Sequence, residues 1–185
     1  MTIGHHSVKQ LLRELLKRER ANVGEDRRVH ASRSALTHLD EVFCEHPIIL
    51  SYSSFGDEFC TKLINTKLSQ KKKLALPKLD GKKMKVYRVI KMERELVENN
   101  WGILEPNPQL CEEVQLSEIS LVLVPAIGFD KNNHRIGYGG GFYDRFLAEL
   151  SSEIPFFGIG YKEQFTKETI PAEPTDIPLS EVFLY

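Results

Sequence analysis

The chain has 185 residues with 41% hydrophobic content, enough for one sizeable core and too short for two. Lys and Arg number 25 against 26 Asp and Glu, so the formal net charge of -1 gives no global field to hold a polyanion such as a nucleic acid. Cys44, Cys60 and Cys111 form no Cys-x-x-Cys pair and read as reduced thiols, no apolar run is long enough to span a membrane, and the N-terminal segment lacks a signal-peptide core. The expectation is a soluble cytoplasmic monomer, one domain over residues 1–185, acting on small molecules.

From the N-terminus, Ser7 and Gln10 form a capping-box pattern, and Val8, Leu11, Leu12, Leu15 and Leu16 repeat at helical spacing, predicting a helix over 8–21. Lys9, Arg13 and Lys17 fall on one face of it, which by itself reads as a solvated basic stripe. A packing helix is predicted over 32–44 and a short buried strand over 48–51. A helix over 57–69 follows, with Asp57 and Glu58 in its first turn, where the helix dipole favours carboxylates.

Three lysines at 71–73 read as a solvated helix end, residues 74–77 as a strand, 78–83 as a turn and 84–90 as the next strand. Beyond them, the lone Trp101 reads as a cover for one end of the core. Residues 119–127 form an almost unbroken apolar run, a strand buried on both faces. A helix over 142–150 is predicted to turn Phe142, Phe146, Leu147 and Leu150 inward and Asp144, Arg145 and Glu149 outward.

Between that strand and that helix lie Gly137, Gly139, Gly140 and Gly141, flanked by Arg135, Tyr138, Tyr143 and Arg145. Backbone free to adopt positive φ, unpaired N–H groups and nearby cations make this stretch suited to a phosphate. It is neither a Walker loop nor a dinucleotide fingerprint, because Phe142 follows the last glycine. A last strand is predicted over 156–161, and Asp176 reads as a turn former ahead of Ile177 and Pro178. The six histidines lie outside metal-ligand spacing, His134 reads as a surface hairpin residue, and no Gly-x-Ser-x-Gly elbow supports a serine nucleophile. Alternating strands and helices argue an α/β fold with a mostly parallel central sheet and ligands at the carboxyl ends of its strands.

The segment VPAIGFD, a spacer and RIGYGGGFYDRFL resemble the signature of the 5-formyltetrahydrofolate cyclo-ligase family, Val-Pro-x-x-x-Phe-Asp followed by Arg-x-Gly-x-Gly-x-Gly-Tyr-Tyr-Asp-Arg. Phe142 replaces the first tyrosine of that pair, and Thr175 stands where the family usually has a histidine. The resemblance implies a three-layer sandwich related to sugar-phosphate isomerases and coenzyme A transferases. It further implies cyclisation of 5-formyltetrahydrofolate to 5,10-methenyltetrahydrofolate, dependent on ATP and Mg2+.

Carried over position by position, Lys9 and Arg13 match a first-helix pattern that contacts the nucleotide, together with Arg135 and the run Gly137, Tyr138, Gly139, Gly140, Gly141, Phe142 and Tyr143. Arg135 and Arg145 become the catalytic cations, Ser53, Glu58 and Trp101 the folate contacts with Met84 a lesser one, and Asp144 and Asp176 the metal-associated carboxylates. Two other readings stay open: a sugar-phosphate isomerase or sensor that uses no ATP, and a nucleotide-binding module without catalysis.

Overall fold

The computed structural model describes residues 5–185, and for residues 5–7 the backbone alone. Helix α1 (His5–Ala21) begins two residues ahead of Ser7, so Ser7 is inside the helix and is not its cap. Its buried stripe is Leu12 and Leu16, while Leu11 and Leu15 are exposed, which narrows the predicted apolar face. Helix α2 (Glu25–Glu45) starts seven residues before the predicted 32 because Glu25 and Asp26 supply an acidic first turn.

Strand β1 (Ile49–Leu50) follows, but residues 57–61 are not helical and α3 (Lys62–Gln70) begins only at Lys62. The placement of Asp57 and Glu58 in a helical first turn is therefore corrected: both belong to a loop and are held by tertiary partners. The lysine run is also corrected. Lys73 Nζ donates to the Phe43 and Cys44 carbonyls at 3.0 and 2.8 Å, capping the end of α2, and Lys71 pairs with Asp40 at 3.0 Å.

Strands β2 (Leu74–Asp80) and β3 (Lys83–Arg88) form a hairpin, followed by one turn of helix α4 (Met92–Glu95) and a small hairpin of β4 (Leu96–Glu98) and β5 (Leu104–Pro106). Then come β6 (Leu121–Val124), the short pair β7 (Gly128–Phe129) and β8 (Arg135–Ile136), helix α5 (Phe142–Leu147), β9 (Phe156–Gly160) and β10 (Glu181–Leu184). No strand was expected at β10. Helix α5 is shorter than predicted, its end tightening into i to i−3 bonds from Glu149 to Phe146 and Leu150 to Leu147.

The main sheet runs β10-β9-β6-β1-β2-β3, parallel throughout except for the antiparallel edge strand β3. The buried strands alternate between two cores, as the period of two requires. Ile49, Leu121, Leu123 and Ile159 face α2 and α3 through Leu39, Phe43, Ile64 and Leu68. Leu50, Val122, Val124 and Phe156 face Phe146 and Leu147 of α5. This gives three layers. Helix α1 stands at the sheet's end, where Leu12 and Leu16 pack on Ile127, Ile136 and Ile170 beside β7 and β8.

Chain order turns outward from β1, which has β2 on one side and β6 on the other. That reversal leaves a crevice at the carboxyl ends of β1 and β6, the position at which ligands enter sheets of this type.

Candidate active site

The crevice is a cleft of about 1050 Å3. Tyr52 and Ser53, just past β1, and Pro125, just past β6, form its floor; the glycine loop and the segment 172–178 form one end; Phe55, Pro77, Leu79, Met84, Ile103 and Leu104 wall the other.

At the glycine end, Gly139 and Gly141 adopt φ of +96° and +62°, a conformation that side-chain-bearing residues rarely take. Folding the loop this way leaves the backbone N–H groups of residues 137–144 without an acceptor among the described residues, and all eight residues line the cleft. The loop's carbonyls are held instead: Arg13 Nε donates to Gly137 O at 2.9 Å and an Arg145 nitrogen to Gly140 O at 3.0 Å. An anion entering here meets donors that need not leave another partner.

The charged side chains around the loop are mostly paired. Lys9 Nζ lies 2.6 Å from Asp176 and 3.2 Å from Glu173, and these bonds outweigh burial to raise its pKa. Arg135, with 6% of its side chain exposed, donates to Asp144 and to the Ile177 carbonyl, each at 2.5 Å. Its pKa is lowered, burial outweighing the nearby Asp144 and Asp176. Asp144 is therefore not outward-facing as predicted. It closes onto Arg135 and also accepts from the Ile177 N–H at 3.2 Å, tying α5 to the segment before β10. Lys17 completes the basic face of α1, its ammonium 5.4 Å from the Tyr138 ring centre. Lys9 and Arg13 line the cleft, which corrects the solvated-stripe reading for those two, while Lys17 is exposed and outside the lining.

Burial comes first at the other end. Glu58 is 7% exposed and accepts from the Tyr138 hydroxyl at 2.8 Å and the Phe55 N–H at 3.2 Å. Its burial raises its pKa against those two bonds and the Arg20 charge. Ser53 lines the same cleft.

Trp101 does not cover the core. It stands 77% exposed at the tip of the β4–β5 hairpin, and that hairpin reaches the cleft through Ile103, Leu104 and Glu105 instead. Asn99 turns the tip outward, its Oδ1 accepting from the N–H groups of Trp101 and Ile103.

Arg20 went unnoticed in the sequence, although it continues the buried stripe of Leu12 and Leu16 at a spacing of four and is itself only 2% exposed. Tyr143 contributes a buried hydroxyl with no partner among the described residues. Neither is there a group of three or more His, Cys, Asp and Glu residues that could by itself hold a metal.

A parallel sheet with an anion-ready loop at its switch point, and apolar side chains lining the same cleft, defines a three-layer α/β enzyme acting on small molecules. Residues 5–185 match the model of the 5-formyltetrahydrofolate cyclo-ligase family. The 5-formyltetrahydrofolate cyclo-ligase of Haemophilus influenzae is 30% identical over 183 residues, 95% of this chain and 97% of that one. An NMR structure of Aquifex aeolicus 5,10-methenyltetrahydrofolate synthetase aligns with a TM-score of 0.83 at 26% identity, covering 95% of this chain and 88% of that chain. The Mycoplasma pneumoniae 5,10-methenyltetrahydrofolate synthetase shares the fold, with a TM-score of 0.72 at 22% identity over 94% of this chain and 96% of that one. The chain belongs to the 5-formyltetrahydrofolate cyclo-ligase family, a family of ligases.

Proposed function

We propose that this protein catalyses the ATP-dependent cyclisation of 5-formyltetrahydrofolate to 5,10-methenyltetrahydrofolate, releasing ADP and phosphate. The observation that carries this reading is the row of N–H groups from 137 to 144 with no acceptor among the described residues, lining one cleft together with apolar side chains and a buried carboxylate. The first suits the terminal phosphates of a nucleotide and the second a reduced pterin, whose ring N–H and amino groups seek an acceptor such as Glu58.

In the reaction, the formyl oxygen attacks the γ-phosphorus and ADP leaves; N10 then attacks the activated carbon and gives up its proton to the departing phosphate or to water, and the C–O bond breaks to release phosphate. Both nucleophiles come from the substrate, so the protein's task is alignment and stabilisation of phosphoryl charge. Arg145 is exposed and spends one nitrogen on Gly140 O, which leaves the rest of its guanidinium for the transferring group. Arg135 supplies charge from behind while holding Asp144 in place, and Lys9 and Arg13 approach from α1.

Asp144 and Asp176 each keep one carboxylate oxygen without a hydrogen bond to the described residues. This fits magnesium, which takes one or two carboxylates together with phosphate oxygens and waters. Magnesium would neutralise phosphate charge, with Asp144 and Asp176 holding it. Ser53 is proposed to meet the folate beside Glu58, and residues 1–185 are read as one cytoplasmic domain working as a monomer.

Growth of the methenyl-folate absorbance on mixing protein, ATP, Mg2+ and 5-formyltetrahydrofolate tests the proposal. Product that forms only with ATP is the expected result. No product, or the same rate without ATP, rejects it.

A further inference from the structure

Arg20 heads the largest fully buried side chains of the protein. One of its terminal nitrogens donates to Asp57 Oδ1 at 2.6 Å and to the Tyr138 hydroxyl at 2.9 Å, and the other to the Ala126 carbonyl at 3.2 Å. Its partners lie on the loop before α3, the glycine loop and the segment just past β6, and all three segments line the cleft. A guanidinium only donates, so the Tyr138 oxygen accepts from Arg20 and its single proton is directed to Glu58 Oε1, 2.8 Å away. The result is a one-way relay of hydrogen bonds from α1 through the glycine loop to the far wall.

Fold stability alone does not account for this arrangement. Burying an arginine carries a desolvation cost that a well-packed apolar side chain of similar volume would avoid. The Nε of Arg20, moreover, is buried with no partner among the described residues, so the group is incompletely satisfied where it sits.

We infer that Arg20 is a positioning residue, which fixes Tyr138 as a donor to Glu58 and so sets the glycine loop in register with the wall that receives the folate. This rests on the folate reading of the cleft. The groups facing Glu58 are Arg20 from α1, Tyr138 from the glycine loop, Tyr143 from α5, Tyr52 past β1 and the neighbouring Asp57, and Arg20 alone among them is a cation. Burial pushes the Glu58 carboxyl up, while Tyr138 and Arg20 hold it down. Loss of either partner makes Glu58 take a proton at a higher pH and weakens it as an acceptor.

The test is calorimetric binding of 5-formyltetrahydrofolate without ATP, followed across pH, for wild type, Tyr138→Phe, Arg20→Met and Arg20→Lys, with melting temperatures measured alongside. At neutral pH, Tyr138→Phe and Arg20→Met are expected to weaken folate binding roughly ten-fold, the scale of one hydrogen bond to a charged group. Both are also expected to move the acid loss of binding to higher pH, and Arg20→Lys to recover part of each effect. Tyr138→Phe removes only a hydroxyl from a half-exposed ring, so it decides the matter even if Arg20→Met does not fold. Wild-type affinity and an unmoved pH midpoint in Tyr138→Phe overturn the inference while leaving the folate reading intact. A wild-type protein that binds no folate overturns both.

Discussion

The two ends of the cleft handle charge in opposite ways. At the glycine end, Lys9 and Arg135 are already matched within the protein to Asp176, Glu173 and Asp144, while the main-chain N–H groups of 137–144 have no acceptor among the described residues. At the other end the lining is apolar apart from Glu58, which is buried at a cost in charge solvation and held by the Tyr138 hydroxyl. An anion at the first end thus gains from donors that are preorganised and only has to share cations that are held in place. A flat ring at the second end gains from area and from one acceptor. Substitutions at the glycine end, Tyr138 with its bond to Glu58 apart, should therefore act on turnover, and those at the far wall on binding.

The largest expected effect comes from Arg145. Arg145→Ala should lower turnover about 10²–10³-fold, the scale of removing one transition-state donor. The residue is exposed, so the melting curve should stay within about 0.5 kcal/mol of wild type. For Asp144, asparagine is the cleaner replacement, since alanine would leave the nearly buried Arg135 with the Ile177 carbonyl but without its carboxylate. Turnover retained by a folded Arg145→Ala protein would erase the difference between the two ends.

Glu58→Gln sharpens the comparison from the other side. Steady-state kinetics should give a folate KM raised roughly ten-fold with a smaller change in kcat. The variant also separates a stability signature. The folded pKa of Glu58 lies above its ordinary 4.5, so its contribution is full below the unfolded value and is lost as pH rises through the folded one. Wild-type stability should carry that downward slope above about pH 4, and denaturant titrations of Glu58→Gln should lack it.

The smallest effect belongs to Trp101. Its exposure predicts that Trp101→Ala changes stability by less than about 0.5 kcal/mol and folate KM by less than about two-fold, measured by melting and kinetics. A larger rise in KM would mean that the hairpin tip folds over the ligand.

These differences mirror what could be read from residues alone. The apolar run that became β6 and the glycine stretch announced themselves because local composition sets both, and the parallel sheet with its crevice followed from them. The loop at 57–61 did not, because two acids ahead of an apolar period look the same whether they begin a helix or are drawn inward by Arg20 and Tyr138. Asp144 was given the wrong direction for a related reason: helical spacing cannot anticipate Arg135, which reaches it from another element. The reading of Trp101 as a core cover fails because a tryptophan's size says nothing about which way the turn from Asn99 to Gly102 aims it. Of the candidate site, the glycine loop is legible in the residues, the α1 cations only through the family resemblance, and the Arg20 relay that joins the two walls in neither. Its one signal is an arginine where the buried stripe calls for leucine.

The central claim is that a nucleotide's terminal phosphates rest on the main chain between Gly137 and Phe142. It is tested most directly by titrating ATP with Mg2+ into isotope-labelled protein and following every backbone amide by NMR. The account predicts that the largest shifts fall on the amides of residues 137–143, with smaller ones at Lys9 and Arg13. Amides there that stay unmoved at saturation, while others elsewhere respond, would contradict it.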